Sequence, residues 1–363
     1  MFSPRQTYND NLKLAFVTGI GGQDGSYLSE LLIEKGYKVY GIVRRNSTLY
    51  NDKNIAHLRG KINIRYGDVN DALGLNRYLS DIISENEGFS VFEMYNLAAQ
   101  SHVAVSFEIP DYTNQTNVNG ALYILEFMRN QPKNIQKRLK FYQASTSEMY
   151  GDVLEPIQSE TTPFNPLSPY ACAKVNAFYL TKCYRESYGL FSCNGILFNH
   201  ESPRRGNNFV TKKIVLGIKD YVSRRDSMTK EDDAPLILGN VFSYRDWGHA
   251  KDYVNGMWLI LQNEKSTDFV LSTNESIMVK DFVEMVCDEM NIRLRWTNEN
   301  SEYNIRAYDA DTGLLVMRTD KKYFRDNDVV ALRGNSDKAR EMLGWTPVHN
   351  INTLVTDMVN ASD

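Results

Sequence analysis

The stretch GIGGQDG, residues Gly19–Gly25, gives the first indication of the fold of this chain. It follows a compact apolar run, KLAFVT (Lys13–Thr18), and precedes SYLSELLIEKG (Ser26–Gly36), whose apolar residues recur at helical spacing. Glycines in a strand-to-helix turn permit a tight turn, close backbone approach to a pyrophosphate and close helix–sheet packing. The helix N-terminus then offers backbone N–H groups to the anion. A glycine triplet alone is a weak signal, because such turns use glycine anyway, but this setting predicts dinucleotide binding.

The alternation of β-rich runs and helical patterns continues outward from that turn. Further β-rich runs are KVYGIV (Lys38–Val43), INIRY (Ile62–Tyr66), VFEMYNLA (Val91–Ala98), KFYQAS (Lys140–Ser145) and FSCNGILF (Phe191–Phe198). Helical stretches lie near Ala72–Ser84, Asn117–Met128 and Pro169–Tyr188. This alternation predicts βαβ units. The expected fold class is therefore α/β, with a Rossmann-type doubly wound parallel sheet.

The rhythm changes after about Phe198. Helical segments near Val210–Arg224, Ala250–Gln262, Val279–Met290 and Asp337–Leu343 are separated by polar loops. Asn298–Tyr323 is long and irregular, which predicts a functional loop or a lid. We expect residues 10–200 to form an NADP-binding domain to which 240–275 return. Residues 201–239 and 276–363 are expected to form a smaller, mainly C-terminal α/β substrate domain.

Composition excludes several classes of protein. The chain has 363 residues, of which 42% are hydrophobic and 24% charged, as in soluble globular proteins. A net charge of −4 gives no footprint for nucleic acid or an anionic membrane. No signal-peptide core and no apolar run of roughly 20 residues is present, and the four cysteines suit reduced thiols. We expect a cytoplasmic protein with no membrane, nucleic-acid or metal partner, since the five histidines and the cysteines show no metal-binding spacing.

Two further motifs bear on the cofactor. The second β-rich run ends in Arg44-Arg45-Asn46-Ser47. An acidic residue there would bond the ribose 2′-hydroxyl of NAD, whereas arginine accommodates a 2′-phosphate, so the motif favours NADP over NAD. A solvated basic turn is the alternative. Asp68 follows the third run and is placed to touch the adenine, although Gly-Asp also makes an ordinary turn.

Candidate catalytic groups follow the next two runs. NLAAQSHV (Asn96–Val103) supplies small residues that let backbone approach a cofactor, although it could equally be packed for its own sake. In QASTSEMYG (Gln143–Gly151), Thr146 and Glu148 lie at the carboxyl end of the predicted sheet, where open α/β sheets bind ligands. A lone glutamate on a loop is usually solvated. Between two hydroxyl residues, Glu148 is a candidate proton-transfer group.

The stretch SPYACAK (Ser168–Lys174) places Tyr170 four residues before Lys174, on one face of a helix. A nearby ammonium favours the phenolate and makes a tyrosine a better base. With 22 tyrosines in 363 residues, chance alone predicts roughly one such pair. The motifs occur in the order glycine turn, Thr146 after the fifth run, and then this pair. This order favours a catalytic role for Tyr170 and Lys174 over a chance pairing.

Taken together, the stretches resemble the extended short-chain dehydrogenase/reductase family and, within it, the GDP-mannose 4,6-dehydratases. The stretches that carry the resemblance are GIGGQDGSYL, GIVRRNS, NLAAQSHV, FYQASTSEMYG, SPYACAK, GILFNHESPRRG and RDWGHAKDYV. The resemblance implies a lyase with an internal redox cycle. NADP takes a hydride from C4 of GDP-mannose, water is lost across C5 and C6, and the hydride returns to C6, giving GDP-4-keto-6-deoxy-mannose.

The resemblance also implies residue roles. Tyr170 would deprotonate the 4-hydroxyl, and Thr146 would hydrogen-bond the 4-oxygen. Lys174 would lower the pKa of Tyr170 and hold the nicotinamide ribose. Glu148 would move the C5 proton and help the 6-hydroxyl leave. The implied NADP contacts are Gly19, Ile20, Gly21, Gly22, Gln23, Asp24, Arg44, Arg45, Asn46, Ser47, Asp68, Val69, Leu97, Ala98, Ala99, Gln100, Ser101, Tyr112, Lys174, His200 and Arg205. The implied substrate contacts are Asn199, Lys213, Arg245, Arg306, Tyr323 and Asp328.

Alternatives remain open at this point. A nucleotide-sugar 4-epimerase shares the glycine turn and the Tyr170–Lys174 pair, but it needs no carboxylate at C5, so Glu148 favours a dehydratase. A non-catalytic NADP-binding protein of this fold would be free to lose these side chains. Some members of the family also reduce the 4-keto product with NADPH to GDP-rhamnose. The resemblance further implies a homo-oligomer, a tetramer.

Overall fold

The structure, a computed structural model, describes residues 11–45, 53–230, 233–301, 303–324 and 331–361. The strands are β1 (Lys13–Thr18), β2 (Tyr37–Val43), β3 (Ile62–Tyr66), β4 (Val91–Asn96), β5 (Leu139–Thr146), β6 (Phe191–Leu197), β7 (Asn199–Glu201), β8 (Leu236–Leu238), β9 (Tyr244–Arg245), β10 (Trp247–His249), β11 (Phe269–Leu271), β12 (Ile277–Met278), β13 (Leu294–Thr297), β14 (Arg306–Asp309) and β15 (Leu315–Thr319). The α-helices are α1 (Gln23–Glu34), α2 (Ala72–Glu85), α3 (Val103–Glu108), α4 (Pro110–Arg129), α5 (Lys133–Gln136), α6 (Pro169–Tyr188), α7 (Val210–Arg224), α8 (Ala250–Gln262), α9 (Val279–Glu289), α10 (Asp337–Leu343) and α11 (Ile351–Asn360). Within these ranges no helix combines the length and apolarity that crossing a membrane requires.

The main sheet has seven strands in the order β11-β6-β5-β4-β1-β2-β3, and every neighbouring pair is parallel. The chain runs from β1 outward to β3 and then crosses to β4 on the other side of β1. Parallel sheets open a ligand crevice at such a reversal, outside the carboxyl ends of the strands. The α/β class with a Rossmann-type doubly wound parallel sheet is confirmed.

Both faces of this sheet are covered by helices. Leu14 and Phe16 of β1 pack with α2, α4 and α6 on one face, whereas Ala15 and Val17 pack with α1 and α8 on the other. All four side chains are fully buried. Because alternate residues of a strand point to opposite faces, a strand covered on both sides is apolar throughout. This is why KLAFVT is a continuous apolar run.

A smaller α/β unit adjoins the main sheet. Its sheet has the order β13-β14-β15-β8, with β15 and β8 parallel and the other pairs antiparallel. Helices α7, α9 and α11 pack on it through a separate apolar cluster that includes Ile214, Phe282 and Leu354. Between these segments the chain rejoins the main sheet, because α8 packs on α1 and β11 forms an edge strand.

The expectation of an irregular loop or lid over Asn298–Tyr323 is wrong. The strands β14 and β15 lie in this segment and pair with each other in antiparallel register. They are only four and five residues long, and buried and half-buried side chains are mixed along them. Runs this short give too little periodicity to distinguish a strand from a loop.

Candidate active site

A large cleft opens at the carboxyl ends of β1, β4, β5 and β6 and has a volume of ≈ 2350 Å³. Sites for one drug-sized ligand have volumes of about 300–1,000 Å³, so this cleft has room for two extended ligands. The sequence-predicted residues that line it are Gly19, Gly21, Gly22, Gln23, Asp24, Arg44, Arg45, Asp68, Val69, Leu97, Ala98, Ala99, Gln100, Ser101, Tyr112, Thr146, Glu148, Tyr170, Lys174, Asn199, His200, Arg205, Lys213, Arg245 and Tyr323.

The structure does not bring every predicted residue to the cleft. The side chain of Ile20 is fully buried in the core beneath the glycine turn. Arg306 is not among the cleft-lining residues, and its Nε donates to Asn304 Oδ1 at 3.2 Å. Asn46, Ser47 and Asp328 lie outside the described residues.

The glycine turn is built so that only glycine fits. Gly19 has a φ of +68°, and a β-carbon there would lie 2.9 Å from the backbone nitrogen of Ala98. A β-carbon on Gly25 would lie 2.3 Å from the carbonyl oxygen of Gly19, so α1 packs directly against the turn. Gly22 is exposed and is the N-cap residue of α1, which therefore has no capping side chain. The first N–H groups of α1 remain free for an anion, as a pyrophosphate requires.

A buried chain of polar side chains supports the turn and was missed by sequence reasoning. The hydroxyl of Thr18 donates to Asn96 Oδ1 at 2.8 Å, and Asn96 Nδ2 donates to Gln143 Oε1 at 2.8 Å. Thr18 Oγ1 also accepts the backbone N–H groups of Leu97 and Ala98, both at 3.0 Å. These contacts join the ends of β1, β4 and β5. A sequence signal existed, since each polar residue stands at or near the end of an apolar run.

Two arginines stand where β2 ends. Arg44 donates a hydrogen bond to the hydroxyl of Tyr112 in α4. The guanidinium of Arg45 lies 5.8 Å from the ring centre of Tyr66 at the end of β3. Both arginines line the cleft. The end of the cleft beside β2 is therefore cationic.

The end of β5 presents Thr146 and Glu148 to the same cleft. Thr146 is the N-cap of the 3-10 helix Ser147–Tyr150, and its hydroxyl accepts the N–H of Glu148 at 3.3 Å. The strand ends here because the capping side chain redirects the backbone. The chain then leaves through Gly151, where a β-carbon would lie 1.9 Å from the carbonyl oxygen of Asn165.

Tyr170 and Lys174 enter the cleft from the first turns of α6. The helix begins with Ser168, whose hydroxyl accepts the N–H of Ala171 at 3.1 Å, and with a proline in its first turn. Lys174 Nζ donates to the carbonyl oxygen of Ala144 at 2.9 Å. The same nitrogen lies 5.9 Å from the ring centre of Tyr170. The pair shares one helix face, as the spacing predicts.

Burial dominates the electrostatics of this pair. It raises the pKa of Tyr170 above its ordinary value; the interaction with the Thr146 hydroxyl, followed by the charge of Arg205, opposes this rise. Burial also lowers the pKa of Lys174 to about 8, although the charge of Asp24 acts to raise it. The Thr146 hydroxyl and the guanidinium of Arg205 therefore favour the phenolate form of Tyr170, and Lys174 Nζ lies 5.9 Å from its ring centre.

The far end of the cleft is cationic and aromatic. The ammonium of Lys213 lies 4.1 Å from the ring centre of Tyr323, and burial lowers the pKa of Lys213. The guanidinium of Arg205 lies 3.7 Å from the ring centre of Phe209, and its Nε lies 3.1 Å from Oε2 of the buried Glu201. Such an arrangement suits an anionic ligand with planar groups. Within the described ranges, no group of three or more histidine, cysteine, aspartate or glutamate side chains could hold a metal ion.

Comparison with known proteins places this cleft in context. A family model described as GDP-mannose 4,6 dehydratase matches residues 16–358. The GDP-mannose 4,6-dehydratase of Yersinia enterocolitica is 44% identical over 366 residues, which cover 96% of this chain and 93% of the relative. GDP-mannose 4,6 dehydratase 1 of Arabidopsis thaliana is 46% identical and covers 96% of this chain and 89% of its own length.

Solved structures share the fold at lower identity. UDP-glucuronic acid 4-epimerase from Bacillus cereus, in complex with UDP-glucuronic acid and NAD, has a TM-score of 0.75 at 18% identity and covers 96% of this chain and 98% of its own. The dTDP-glucose 4,6-dehydratase DesIV from Streptomyces venezuelae, with NAD and TYD bound, has a TM-score of 0.74 at 20% identity and covers 95% of each chain. At these identities the likeness concerns the fold alone.

Proposed function

The chain belongs to the GDP-mannose 4,6-dehydratase family, and from that premise we propose that it is an NADP-dependent enzyme that converts GDP-mannose into GDP-4-keto-6-deoxy-mannose and water. One observation supports this proposal most strongly. The glycine turn, the Tyr170–Lys174 pair and Glu148 line one cleft with room for two extended ligands. A dehydratase needs all three, whereas an epimerase has no use for the carboxylate.

The residues present fit a dinucleotide. The first N–H groups of α1 are uncapped, and at Gly22, the N-cap residue, a β-carbon would lie 3.2 Å from the carbonyl oxygen of Gly19, so the turn is close-packed around glycine. At the adenosine end, Arg44 and Arg45 would hold a 2′-phosphate, which is why we propose NADP rather than NAD. Asp68 would approach the adenine. When bound, NADP would supply the hydride chemistry, by accepting a hydride from C4 of the sugar and returning it to C6.

Tyr170 would take the proton of the 4-hydroxyl as the C4–H bond is broken. Burial raises the pKa of Tyr170, so the phenol needs help to act as a base. The Thr146 hydroxyl would hold the 4-oxygen and share its proton. Lys174 would hold the nicotinamide ribose and add positive charge. Its charge is available below a pKa of about 8.

Glu148 would carry the dehydration. A ketone at C4 acidifies the neighbouring C5 proton, and a placed carboxylate that removes it contributes typically about 10²–10⁴-fold to the rate. The same carboxyl group, now protonated, would give its proton to the departing 6-hydroxyl, which leaves as water. As the hydride returns to C6, C5 would take a proton from solvent through Glu148, and Tyr170 would release to solvent the proton that it took from the 4-hydroxyl, so that the atoms balance. No net oxidation occurs, so the cofactor stays in the site through the whole cycle.

The cationic end of the cleft would hold the GDP group. Arginines suit a diphosphate because one guanidinium bonds two oxygens at once. Arg245 and Lys213 are the groups we propose for these contacts, with Asn199 and Tyr323 beside them. Arg306 does not line the cleft and is left out of this set.

We also propose that the enzyme is a homo-oligomer, a tetramer as the family resemblance implies. Two large apolar side chains, two positions apart, are exposed at the junction of α3 and α4, where Phe107 is 55% and Ile109 is 42% exposed. We propose that they lie in a contact between subunits. Light scattering on the purified protein gives the mass of the assembly directly.

Mass spectrometry of the purified protein with GDP-mannose tests the proposed reaction. Without any added reductant, the substrate should lose one water. A further gain of two hydrogens when NADPH is supplied would reveal a second activity, reduction to GDP-rhamnose. If the mass of GDP-mannose is unchanged in both reactions while NADP is bound, the proposal is wrong, and either another nucleotide sugar is the substrate or the chain is a non-catalytic NADP-binding protein.

A further inference from the structure

A partly buried ion pair joins the glycine turn to the opposite wall of the cleft. Oδ2 of Asp24, in the first turn of α1, lies 2.8 Å from Nε2 of His200 in β7. The other ring nitrogen of His200, Nδ1, lies 2.7 Å from the carbonyl oxygen of Phe198. Both neighbours are acceptors. Since a neutral imidazole donates from only one nitrogen, satisfying both contacts requires the imidazolium form.

The surroundings of His200 favour the charged ring. Its ring stacks on that of Tyr253 in α8, with centres 4.5 Å apart, and the residue is only 8% exposed. Burial acts to lower the pKa of His200, but the charge and hydrogen bond of Asp24 outweigh it, and the pKa lies above its ordinary value. Arg205, in the following loop, opposes the imidazolium charge, while burial raises the pKa of Tyr253 and keeps that phenol neutral. Lys174 of α6 also interacts with Asp24, whose negative charge acts to raise the pKa of Lys174.

The carboxylate of Asp24 lies where an unpaired negative charge would weaken the binding of a phosphate. It follows Gly22 by two residues, in the turn whose N–H groups would bind the pyrophosphate. A negative charge at that place repels a phosphate and competes for the positive end of the helix. His200 cancels this charge from the other side of the cleft.

Resting on the proposed cofactor site, we propose that His200 is a positioning residue for cofactor binding, which acts by neutralising Asp24 at the phosphate-binding turn. The Asp24–His200 ion pair links the glycine turn to β7 without leaving a negative charge that repels the phosphates of the cofactor. Two hydrogen bonds of Gln23 strengthen this link. Gln23 Nε2 donates to the carbonyl oxygen of His200 at 3.0 Å, and Ser202 Oγ donates to Gln23 Oε1 at 2.8 Å.

The strength of the Asp24–His200 ion pair depends on pH. Because the pKa of His200 is raised in the folded protein, the ion pair is fully formed below the ordinary value of 6.5 and is lost as pH rises through the raised value. Above that pH the charge of Asp24 is no longer cancelled. Cofactor affinity should therefore fall as the solution becomes more alkaline.

A double-mutant cycle on cofactor affinity tests the inference. We would measure the dissociation constant of NADPH by fluorescence for wild type, His200→Gln, Asp24→Asn and the double variant, at several pH values. His200→Gln should weaken binding by about tenfold, the size of one charge interaction in a half-buried site. His200→Gln should also lack the decline in affinity with rising pH that His200 causes, and adding Asp24→Asn should restore most of the lost affinity. If the double variant binds no better than His200→Gln, the pair has a purely structural role and the inference is overturned.

A second ion pair on the same helix supplies the control. His57 Nε2 lies 2.6 Å from Oε1 of Glu30 in α1, and the His57 side chain is 49% exposed. His57→Gln removes a histidine–carboxylate pair away from the turn. It should leave the NADPH dissociation constant unchanged. An equal loss of affinity in His57→Gln would show that the effect is not specific to the turn and would contradict the inference.

A measurement on the cofactor-free protein separates this inference from the proposed function. The chain has five histidines, so an NMR titration is assignable by comparison with His200→Gln. His200 should titrate above 6.5 in wild type and lower in Asp24→Asn. Titration at or below 6.5 overturns the inference even if NADPH binds. A raised value in a protein that binds no NADPH overturns the proposed function and, with it, the cofactor role of the pair.

Discussion

The ammonium of Lys174 donates a hydrogen bond to the backbone carbonyl oxygen of Ala144 at 2.9 Å, and it lies 5.9 Å from the ring centre of Tyr170. The cation is thus anchored to the end of β5, the strand that also carries Thr146. Burial at this place lowers the pKa of Lys174 to about 8. Its charge should therefore be lost as the pH rises through about 8.

The activity should fall as pH rises through about 8, because Lys174 is protonated below its lowered pKa and loses its charge above it. Lys174→Arg keeps a positive charge at all these pH values, since a guanidinium is not deprotonated in proteins. This variant should be slower overall, and its kcat/KM for GDP-mannose, measured with saturating NADP so that cofactor affinity does not contribute, should lack the alkaline decline. The same decline in Lys174→Arg would assign the titration to another group.

Tyr170→Phe should lower kcat by about 10²–10⁴-fold, since it removes the proposed acid–base group and leaves the ring in place. The affinity for NADPH should stay within about twofold of the wild-type value, because phenylalanine keeps the aromatic ring and its packing at the start of α6. Steady-state kinetics and cofactor fluorescence give the two values. Tyr179→Phe, on the same helix and 52% exposed, is the matched control and should keep normal turnover. Normal turnover in Tyr170→Phe would remove it from the mechanism.

Glu148→Gln should block the loss of water while still allowing oxidation at C4. Without the carboxylate the C5 proton is not removed, so the rate should fall by about 10²–10⁴-fold. Reduced cofactor should then accumulate and be visible by its absorbance when GDP-mannose is added. Glu186→Gln, on the exposed side of α6, is the control. Dehydration at the normal rate in Glu148→Gln would show that another group removes the C5 proton.

Gly25→Ala should destabilise the fold more than Gly36→Ala. At Gly25 a β-carbon would lie 2.3 Å from the Gly19 carbonyl oxygen and 2.6 Å from Cα of Ile20, so backbone must move. Overpacking typically costs about 1–3 kcal/mol, and the cost should lie at or above the upper end of this range where backbone rather than a flexible side chain must move. Gly36 has a φ of +78° and nothing within 4 Å, so alanine there meets only the left-handed backbone penalty of about 1–2 kcal/mol. Urea denaturation compares the two, and equal losses would contradict close packing of α1 on the turn.

Where local signals were strong, the sequence predicted the elements closely. Helix α6 runs over Pro169–Tyr188 as expected, because a capping serine and a proline mark its start and Gly189, with a φ of +67°, marks its end. Helix α4 begins at Pro110, whereas the sequence predicted a start near Asn117. The prediction missed the first two turns because they are largely polar and show no apolar periodicity. There the helix is stabilised by tertiary packing that no local pattern reveals.

The site shows the same division between local and long-range information. The glycine turn and the Tyr170–Lys174 spacing are local patterns, and both were found. The Asp24–His200 pair joins residues 176 positions apart, and the Thr18–Asn96 hydrogen bond spans 78 positions. Sequence motifs proposed Asp24 and His200 singly but could not show that they meet. Contacts of this kind depend on strand order, which only the folded structure supplies.

The proposed reaction moves one hydrogen from C4 to C6 of the sugar, so following that hydrogen is its most direct test. GDP-mannose carrying deuterium at C4 should be incubated with the purified enzyme, and the product examined by NMR and mass spectrometry. The proposed cycle predicts that the deuterium is found at C6 of GDP-4-keto-6-deoxy-mannose, with none lost to water, because the cofactor takes and returns the same hydride. A dehydrated product without deuterium at C6, or recovery of unreacted GDP-mannose, would contradict the account.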